Sequence, residues 1–405
     1  MSPTPVPPSL SAVRRHPRAT MVIAATGALA AGAATGWLGA AVYLAKKVLT
    51  PDRRRPDDTE VVAFDDRSVT LTRTAETVVP GRYGLFQDGG ATHVRFGRIL
   101  REDHARGTVT RRLHGVDAGS LRIGPARFHP YYYATDPQTA LGIPTREVSV
   151  PGEVGVLPSW LVPPPSGEPR GTRWAVLVHG RGAGREETVR AVPSLHAAGL
   201  TCLIPSYRND TVAPASADGL YGLGLSEWRD VDAAVAHAVA MGASDVVLVG
   251  WSMGGAIVLQ TLVCSPYADH VSQVILDGPV VDWPDVLHHH ARAMRVPGQL
   301  TTLSLRLLGL PHGRHLVGHA DTLDLSATDM VHRAAELRHP ILLIHSVDDE
   351  FVPSGRSEAL AEARPDLVRL ERWHTARHCK EWNVDRERWE RCVTEFVTEG
   401  ARPAP

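Results

Sequence analysis

Two hydrophobic patterns divide the chain after its first 60 residues. Residues 61–157 contain short β-prone stretches, separated by glycine and aspartate turns, without any long stretch of helical periodicity. From residue 172 to residue 400, nearly continuous apolar runs alternate with stretches whose apolar positions recur at helical spacing. The first pattern predicts a small β-rich domain, for which a barrel is one arrangement. The second predicts an α/β fold, with a mostly parallel sheet flanked by helices, joined to the first by a proline-rich linker at 158–171.

The second unit contains six predicted strands. They cover residues 174–180, 201–207, 245–251, 271–279, 340–346 and 366–373, and helices are predicted at 186–199, 226–242 and 254–263. The segment 283–335, which is inserted between two of these strands, is predicted to form a cap. Because ligands bind at the carboxyl ends of the strands in such sheets, functional side chains are expected in the loops that follow the strands.

The amino-terminal part contains an uncharged stretch at 21–45 with basic residues on both sides. Its length suffices for a bilayer-spanning helix, which needs about 20 residues, and its end is a poor signal-peptidase site. The pattern predicts a disordered tail at 1–20, a transmembrane helix at 21–45 that anchors the protein in the cell membrane, and a charged linker at 46–60. The distribution of basic residues favours a cytoplasmic location for the folded part. The spacing of Gly32 and Gly36 would let two such helices form a homodimer.

Composition and charge narrow the function classes. The chain has 43 basic and 44 acidic residues and a net charge of -1, so the overall balance does not indicate a nucleic-acid partner. Four cysteines without a C-x-x-C pair do not indicate a disulfide scaffold or a zinc site. Histidines at 288–290 and at 312, 315 and 319 lack the spacing of a metal site. We expect neither a metal nor an organic cofactor.

A candidate nucleophile lies in the sequence GWSMGG. Ser252 follows an apolar strand and precedes an apolar helix, with Gly250 and Gly254 two residues away on either side. A sharp strand-to-helix turn strains the serine backbone and brings neighbouring chain so close that side chains at the glycine positions would clash. The pattern predicts that Ser252 is a nucleophile rather than a serine that only begins a helix. Cys379, beside His378, is an alternative, although neighbours in sequence seldom face each other.

The loop HGRGAG at 179–184 follows the first parallel strand and offers unhindered backbone N–H groups. An acyl-transfer enzyme needs two donors for the oxyanion, and we predict the N–H groups of Met253 and Arg181 for this role. A dinucleotide-binding loop is the competing interpretation. Its spacing fails, because Arg185 stands where the third glycine of G-x-G-x-x-G is required.

Candidate acids and bases follow later strands. Asp348 and Asp349 follow the strand at 340–346, and His374 and His378 follow the last strand. Asp277, at the end of an earlier strand, is a rival acid. The order serine, acid, histidine along the chain is that of the hydrolases whose nucleophile lies on a strand-to-helix turn.

With these motifs, residues 172–400 resemble the α/β-hydrolase superfamily, especially bacterial serine hydrolases with a GWSMGG turn and an SYRND loop. The family acid stands in a D-x-x-V-P pattern, which matches Asp349 to Pro353, and the family histidine in a small-x-His pattern, which matches His378. The resemblance implies that Ser252, Asp349 and His378 form a catalytic triad, while His374 is structural. It also implies an acyl-enzyme that water resolves, with no cofactor.

The predicted function is a membrane-anchored serine hydrolase that acts on a small acyl ester or thioester. A peptidase of related fold and an inactive binding protein are the alternatives. Retention of the serine turn, the glycine-rich loop, the acid and the histidine favours an enzyme. The β-rich segment is too short for a large propeller, which disfavours a peptidase. The apolar stretch LTTLSLRLLGL at 300–310 would suit covering an acyl chain, although it would equally suit sealing the core.

Overall fold

The computed structural model of the protein describes residues 35–52, 55–165 and 172–400. This part of the chain forms an amino-terminal helix, a β-barrel and an α/β domain. The helix α1 is described over residues 35–49. The barrel and the α/β domain follow it in the chain, and the functional site lies in the α/β domain.

The barrel is a closed antiparallel sheet. Its strands are β1 (Thr59–Phe64), β2 (Ser68–Thr72), β3 (Tyr83–Gln87), β4 (Thr92–Asp103), β5 (Thr108–Ala118) and β6 (Gly124–His129). They are arranged in the order β1-β2-β5-β4-β3-β6, and β6 closes the sheet onto β1. Alternate strand residues point inward, as Val69 and Leu71 of β2 do, and both are fully buried. Up to His129, the β-rich segment of the sequence therefore forms a barrel, in which closure removes exposed strand edges.

A mostly parallel sheet forms the centre of the α/β domain. Its strands are β7 (Arg146–Gly152), β8 (Gly155–Val162), β9 (Arg173–Val178), β10 (Thr201–Pro205), β11 (Asp245–Trp251), β12 (Val271–Asp277), β13 (Ile341–Ser346) and β14 (Val368–Trp373). The order is β14-β13-β12-β11-β9-β10-β8-β7, and the six strands from β9 to β14 run parallel to one another. Hydrophobic clusters cover both faces of this sheet. Burial on both faces explains why these strands are continuous apolar runs in the sequence.

Helices cover the two faces and form the cap. They are α2 (Pro137–Leu141), α3 (Val192–Ala197), α4 (Trp228–Ala240), α5 (Met253–Cys264), α6 (Trp283–Ala293), α7 (Gly298–Leu308), α8 (Pro311–Val317), α9 (Gly355–Ala363), α10 (Glu381–Val384) and α11 (Arg386–Glu399). The helices α6, α7 and α8 lie in the segment between β12 and β13 for which the sequence predicts a cap. Asp282 begins α6 by accepting the backbone N–H of Asp285.

The boundary between the two domains differs from the prediction. The barrel ends at His129, and β7 and β8 form a hairpin at the edge of the large sheet, where β8 pairs antiparallel with β10. The hydrophobic pattern predicts that β7 belongs to the β-rich domain and that part of β8 lies in a linker. The alternating pattern of a hairpin does not reveal which sheet it joins, because that depends on a distant strand.

The structure does not support the predicted transmembrane helix. The predicted fold class and the predicted location in the cell membrane are therefore both corrected on this point. Residues 21–34 of that stretch, including Gly32, lie outside the described residues. Residues 35–45 belong to α1, in which Ala41, Ala45 and Leu49 are buried at a spacing of four residues. Ala45 and Leu49 belong to the hydrophobic core of the α/β domain. Within the described residues, we find no helix with both the length and the apolar character required to cross a bilayer.

Candidate functional site

Ser252 occupies a strained turn between β11 and α5. Its backbone φ is 51° and its ψ is -118°, a conformation that residues other than glycine rarely adopt. A Cβ atom at position 250 would lie 2.6 Å from the carbonyl oxygen of Gly254, and one at position 254 would lie 2.2 Å from that of Val178. The glycines are therefore required by close approach of the backbone, as the sequence predicts for a turn that exposes a nucleophile.

The structure brings Ser252, His378 and Asp349 together. The Nε2 atom of His378 lies 2.9 Å from the Oγ atom of Ser252, and its Nδ1 atom lies 2.7 Å from Oδ2 of Asp349. Ser252 follows β11, Asp349 follows β13 and His378 follows β14, so all three stand at the carboxyl end of the sheet. In this arrangement the imidazole can accept the serine proton at Nε2 while Nδ1–H donates to the carboxylate.

Asp349 is held as a carboxylate in a buried position. Its Oδ1 atom accepts the backbone N–H groups of Phe351 and Val352, each at 2.8 Å. Burial by itself raises the pKa of the Asp349 carboxyl, but the charge of His378 and hydrogen bonds from His345 and His378 outweigh it. The net pKa lies well below the usual range of an aspartate. The carboxylate is therefore ionised at neutral pH and can orient the imidazole.

Among the described residues, the polar partners of the His378 ring nitrogens include Asp349 but neither rival acid. Asp348 accepts the Ser346 hydroxyl and the backbone N–H of Arg377, so it holds the histidine loop rather than the imidazole. Asp277 accepts the indole N–H of Trp389 at 2.8 Å. The D-x-x-V-P pattern thus selects the aspartate that reaches the histidine.

His374 and Cys379, the rival base and nucleophile, have other environments. His374 is exposed at the end of β14. Cys379 is buried, with Sγ 3.3 Å from the carbonyl oxygen of Asp277. Burial raises the pKa of the Cys379 thiol well above its usual value, and the negative charge of Asp277 adds to this effect. Since the thiolate is the reactive form of cysteine, this environment disfavours Cys379 as a nucleophile.

The loop at 179–184 lies directly against the serine. A Cβ atom at Gly180 would come within 3.1 Å of the Ser252 Cβ atom. Two side chains hold the backbone of this loop. Glu187 accepts the Gly180 N–H at 2.7 Å, and the Tyr207 hydroxyl donates to the Gly180 carbonyl at 2.9 Å. Arg181 belongs to this loop and lines the same cavity as Ser252.

Met253, the other predicted oxyanion donor, is the first residue of α5. The first four N–H groups of a helix have no acceptor within it, and the helix dipole favours negative charge there. Of the two predicted oxyanion donors, Met253 thus belongs to the helix that follows the serine and Arg181 to the loop that follows β9.

A buried ion pair supports the glycine-rich loop. His179 precedes Gly180, and its Nε2 atom lies 3.1 Å from the Asp210 carboxylate. Burial lowers the pKa of His179, whereas the charge of Asp210 and its hydrogen bond raise it. The raising effects are larger, so the net pKa of His179 lies above its usual value. The ring also stacks on Tyr207 with centroids 4.3 Å apart. The pair keeps the loop rigid at the carboxyl end of β9.

An apolar cavity opens beside Ser252. Its volume is about 230 Å³, just below the usual range for small-molecule sites, and it lies between the serine, the cap and α1. From the cap, α6 contributes Val286 and Leu287, and α7 contributes Leu305 and Leu308. The stretch 300–310, for which the sequence suggested a role in covering an acyl chain, therefore faces the site in part.

Two neighbouring histidines of the cap contact backbone carbonyls. His288 lies 2.7 Å from the carbonyl oxygen of Pro284, and His289 lies 3.0 Å from that of Glu350. His319 pairs with Asp218. In the part of the chain that the structure describes, no group of three or more histidine, cysteine or acidic side chains is arranged to hold a metal ion.

His345 is a site residue that the sequence analysis did not identify. It lies in β13, fully enclosed, with Nε2 3.3 Å from Oδ2 of Asp349 and 2.9 Å from the carbonyl oxygen of Val352. Its Nδ1 atom lies 2.8 Å from the Ser357 hydroxyl. The only sequence signal was a polar residue inside an apolar strand, four positions before the acid.

Family models match two parts of the chain. A model described as "Alpha/beta hydrolase family" matches residues 175–398. Another, described as "Domain of unknown function (DUF8805)", matches residues 60–129, which is the barrel. Among curated proteins, nothing matches the chain.

Solved structures share the fold at low sequence identity. An esterase of Pyrococcus furiosus, Pf2001, is 16% identical with a TM-score of 0.50, over 66% of this chain and 95% of its own. A serine hydrolase of Cycloclasticus zankles is 16% identical with a TM-score of 0.46, over 64% of this chain and 100% of its own. The Est1E structure from Butyrivibrio proteoclasticus, with ferulic acid bound, is 17% identical with a TM-score of 0.47, over 62% and 98%.

The first of these similarities supports the fold alone, since its identity is low. The family match carries more weight, because it spans more than half of the chain and includes the serine turn, the acid and the histidine. The sheet order and the turn after β11 agree with it. The chain belongs to the α/β-hydrolase family.

Proposed function

We propose that this protein is a serine hydrolase that cleaves carboxylic esters or thioesters of small acyl substrates through an acyl-enzyme. One observation carries the proposal: the Ser252 hydroxyl, the His378 imidazole and the Asp349 carboxylate form a continuous hydrogen-bonded line. The serine at its end borders an apolar cavity. A serine that only begins a helix would need neither the imidazole nor the cavity.

In the proposed acylation step, His378 Nε2 removes the hydroxyl proton as the Oγ atom of Ser252 bonds to the substrate carbonyl carbon. The carbonyl oxygen becomes an oxyanion, which the backbone N–H groups of Met253 and Arg181 stabilise. Collapse of this intermediate breaks the bond to the leaving group. The leaving alcohol or thiol takes the proton from His378, and an acyl ester remains on the serine.

In the proposed deacylation step, a water molecule replaces the leaving group. His378 removes a proton from this water, which attacks the acyl carbon and forms a second oxyanion. When the bond to Oγ breaks, the serine regains its proton from His378 and the carboxylic acid leaves. Asp349 keeps Nδ1–H directed toward itself and stabilises the imidazolium that forms in each half-reaction.

The surroundings of the serine favour an ester over a peptide substrate. The cavity is lined mainly by apolar side chains, which suit a hydrocarbon acyl group. A peptide would present several backbone donors and acceptors, and each of these would need a partner when buried. The small volume of the cavity also favours a small acyl group.

A comparison of chromogenic substrates tests the proposal. The protein should hydrolyse p-nitrophenyl esters of short and medium acyl chains with a higher kcat/KM than any aminoacyl or dipeptidyl p-nitroanilide. A fluorophosphonate should label the wild-type protein on Ser252. A higher kcat/KM on an anilide would replace the esterase assignment with a peptidase, whereas absence of labelling would reject the serine hydrolase itself.

A further inference from the structure

The amino-terminal helix α1 borders the cavity beside Ser252. Leu44 and Val48, four residues apart on α1, line it, and Lys47 lies at the same wall. The family match begins only at residue 175, so this wall comes from outside the matched region. A neighbouring face of the helix, with Ala41, Ala45 and Leu49, is buried. The helix therefore packs with one face on the domain and turns the next one toward the cavity.

Polar contacts fix the end of α1 against the loop beside the serine. The guanidinium group of Arg181 donates to the carbonyl oxygens of Val48 at 3.1 Å and Thr50 at 2.7 Å. A cation at the carboxyl end of a helix is favourable, because it satisfies free carbonyls and opposes the helix dipole. Tyr221 donates its backbone N–H to the Leu49 carbonyl at 2.8 Å.

The glycine-rich loop makes one further contact with the segment after α1 and one with Tyr221, the residue that donates to the Leu49 carbonyl. Arg55, just beyond α1, donates to the carbonyl oxygen of Gly182 at 2.8 Å. The hydroxyl of Tyr221 accepts the Gly182 N–H at 3.3 Å. The same loop therefore both borders Ser252 and fastens α1, which places the helix as a fixed part of the cavity.

We propose that α1 is one wall of the acyl-binding pocket and, through Leu44 and Val48, limits the length of the acyl chain that reaches Ser252. The inference rests on the proposed hydrolase function. The occupant is an acyl chain of short to medium length, because Val286, Leu287 and Leu305 of the cap also line the cavity and its volume is only about 230 Å³. A longer chain would have to displace a helix that is held at its end.

The test compares p-nitrophenyl acetate with p-nitrophenyl octanoate on the full chain. Leu44→Trp and Val48→Trp should each lower the octanoate-to-acetate ratio of kcat/KM by about tenfold, since mismatch of a few methylenes in an apolar pocket has effects of this order. Tyr43→Trp is the matched control on the same helix, because its side chain is 65% exposed and does not line the cavity. A ratio within twofold of the wild type in both cavity variants would overturn the proposal.

A second measurement separates this proposal from the proposed function. Octanoate binding to the Ser252→Ala protein, measured by calorimetry, reports on the cavity without turnover. Adding Val48→Trp should weaken that binding by about tenfold, whereas adding Tyr43→Trp should not. Equal binding with and without Val48→Trp overturns the wall. Failure of the wild type to hydrolyse any ester would reject the proposed esterase activity, whereas the binding measurement would still decide whether α1 forms a wall of the cavity.

A different observation concerns the barrel, which contacts the loop that carries His378. Glu76, between β2 and β3, pairs with Arg377 at 3.1 Å and with Lys380, residues on both sides of the histidine. The backbone N–H of Arg82 donates to the carbonyl of Asn383 at 3.0 Å. The barrel therefore contacts the histidine loop both before and after the imidazole.

The histidine loop needs such support because its backbone is strained. Arg377 has a φ of 59° and Cys379 a φ of 50°, so non-glycine residues in the left-handed region flank His378 on both sides. Conformations of this kind persist only when surrounding contacts enforce them. The side chains of Arg377 and Lys380 are 18% and 9% exposed, so their pairs with Glu76 are shielded from solvent on one side.

We infer that Glu76 is a positioning residue through which the barrel holds His378 in line with Ser252. Glu76→Gln should lower kcat by about tenfold, because small misplacement of a catalytic group is costly, with KM for the ester within twofold of the wild type. Glu76→Asp, which keeps the charge, should restore part of the loss. Glu102→Gln, which removes another paired carboxylate of the barrel, should leave kcat unchanged.

The inference also rests on the proposed function, and two outcomes overturn it. One is a kcat of Glu76→Gln within twofold of the wild type. The other is a correlation of kcat in Glu76→Gln and Glu76→Asp with the Tm of each variant rather than with the charge at position 76. Such a correlation would indicate a merely structural role. If the wild-type protein hydrolysed no ester, the proposed esterase activity would be rejected, and the rate at which a fluorophosphonate labels Ser252 would compare the Glu76 variants instead.

Discussion

The Nε2 atom of His378 lies 2.9 Å from the Oγ atom of Ser252, although 126 residues separate them in the chain. Two different strands deliver them to the same edge of the sheet. The side chain of His378 is 23% exposed, whereas that of its partner Asp349 is fully buried. Solvent therefore reaches the base while the acid is shielded. This difference in exposure suits proton transfer between His378 and a substrate on its exposed side.

Removing either partner of this contact should abolish turnover. Ser252→Ala and His378→Ala should each lower kcat by about four or more orders of magnitude, because nucleophile and base act as one unit. His374→Ala changes the same residue type in the same loop at an exposed position and should retain activity. Steady-state hydrolysis of p-nitrophenyl butyrate measures all three, and a dominant loss in His374→Ala would move the base to that residue.

The two neighbouring aspartates should differ sharply in their effects. Asp349→Asn should lower kcat by about 10⁴, because an amide cannot stabilise the imidazolium and favours the wrong tautomer. Asp348→Asn removes only a carboxylate that bonds Ser346 and the Arg377 backbone, so its loss should be much smaller. The measurement is kcat in folded variants. An equal loss in both, or a larger one in Asp277→Asn, would contradict the assignment of the acid.

Glu381 and Asp277 form a buried pair of carboxyl groups, and replacing Glu381 by glutamine should stabilise the protein in a pH-dependent way. Burial raises the pKa of Glu381 well above its usual value, and the charge of Asp277 adds to this. An acid with a raised folded-state pKa stabilises the fold fully below its unfolded pKa of about 4.3, and this contribution decreases as the pH rises toward the folded value. Glu381→Gln keeps the neutral form and should therefore raise Tm relative to the wild type increasingly from pH 5 to pH 8.

Thermal unfolding across that pH range measures the difference between the two proteins. Glu387→Gln is the matched control, because it makes the same change at an exposed position near Glu381. A Tm difference for Glu381→Gln that is independent of pH, or that has the opposite sign, would show that this carboxyl is ionised in the folded protein.

Adding one methyl group at the serine turn should destabilise the fold. The Cβ atom of Gly254→Ala would lie 2.2 Å from the Val178 carbonyl oxygen and 2.5 Å from that of His179, so the backbone must shift. We expect a decrease of about 1–3 kcal/mol in the free energy of unfolding, measured with denaturant, and a loss of activity. Gly298→Ala, whose Cβ meets nothing within 4 Å, should change stability by less than about 1 kcal/mol. Equal effects would exclude backbone crowding as the reason for the glycine.

The parallel strands could be predicted from the sequence because burial on both faces makes each of them a continuous apolar run. The turn at Ser252 could also be predicted, since its glycines and the neighbouring apolar helix are local in the chain. The pattern at 21–45 was misinterpreted, because its described part packs on the α/β domain. An apolar surface is equally suited to lipid and to a protein core, and only the partner distinguishes them.

Local patterns alone predicted the parallel strands and the serine turn, and they left Asp348 and Asp349, and His374 and His378, as alternatives, between which the family resemblance chose Asp349 and His378. Tertiary structure decided that β8 joins the large sheet, that His345 and Asp349 meet, and that Glu76 reaches the histidine loop. The physical reason is that hydrophobic periodicity reports only whether a position is buried. Which residues share the buried space depends on contacts between distant segments, and those form only when the whole chain packs.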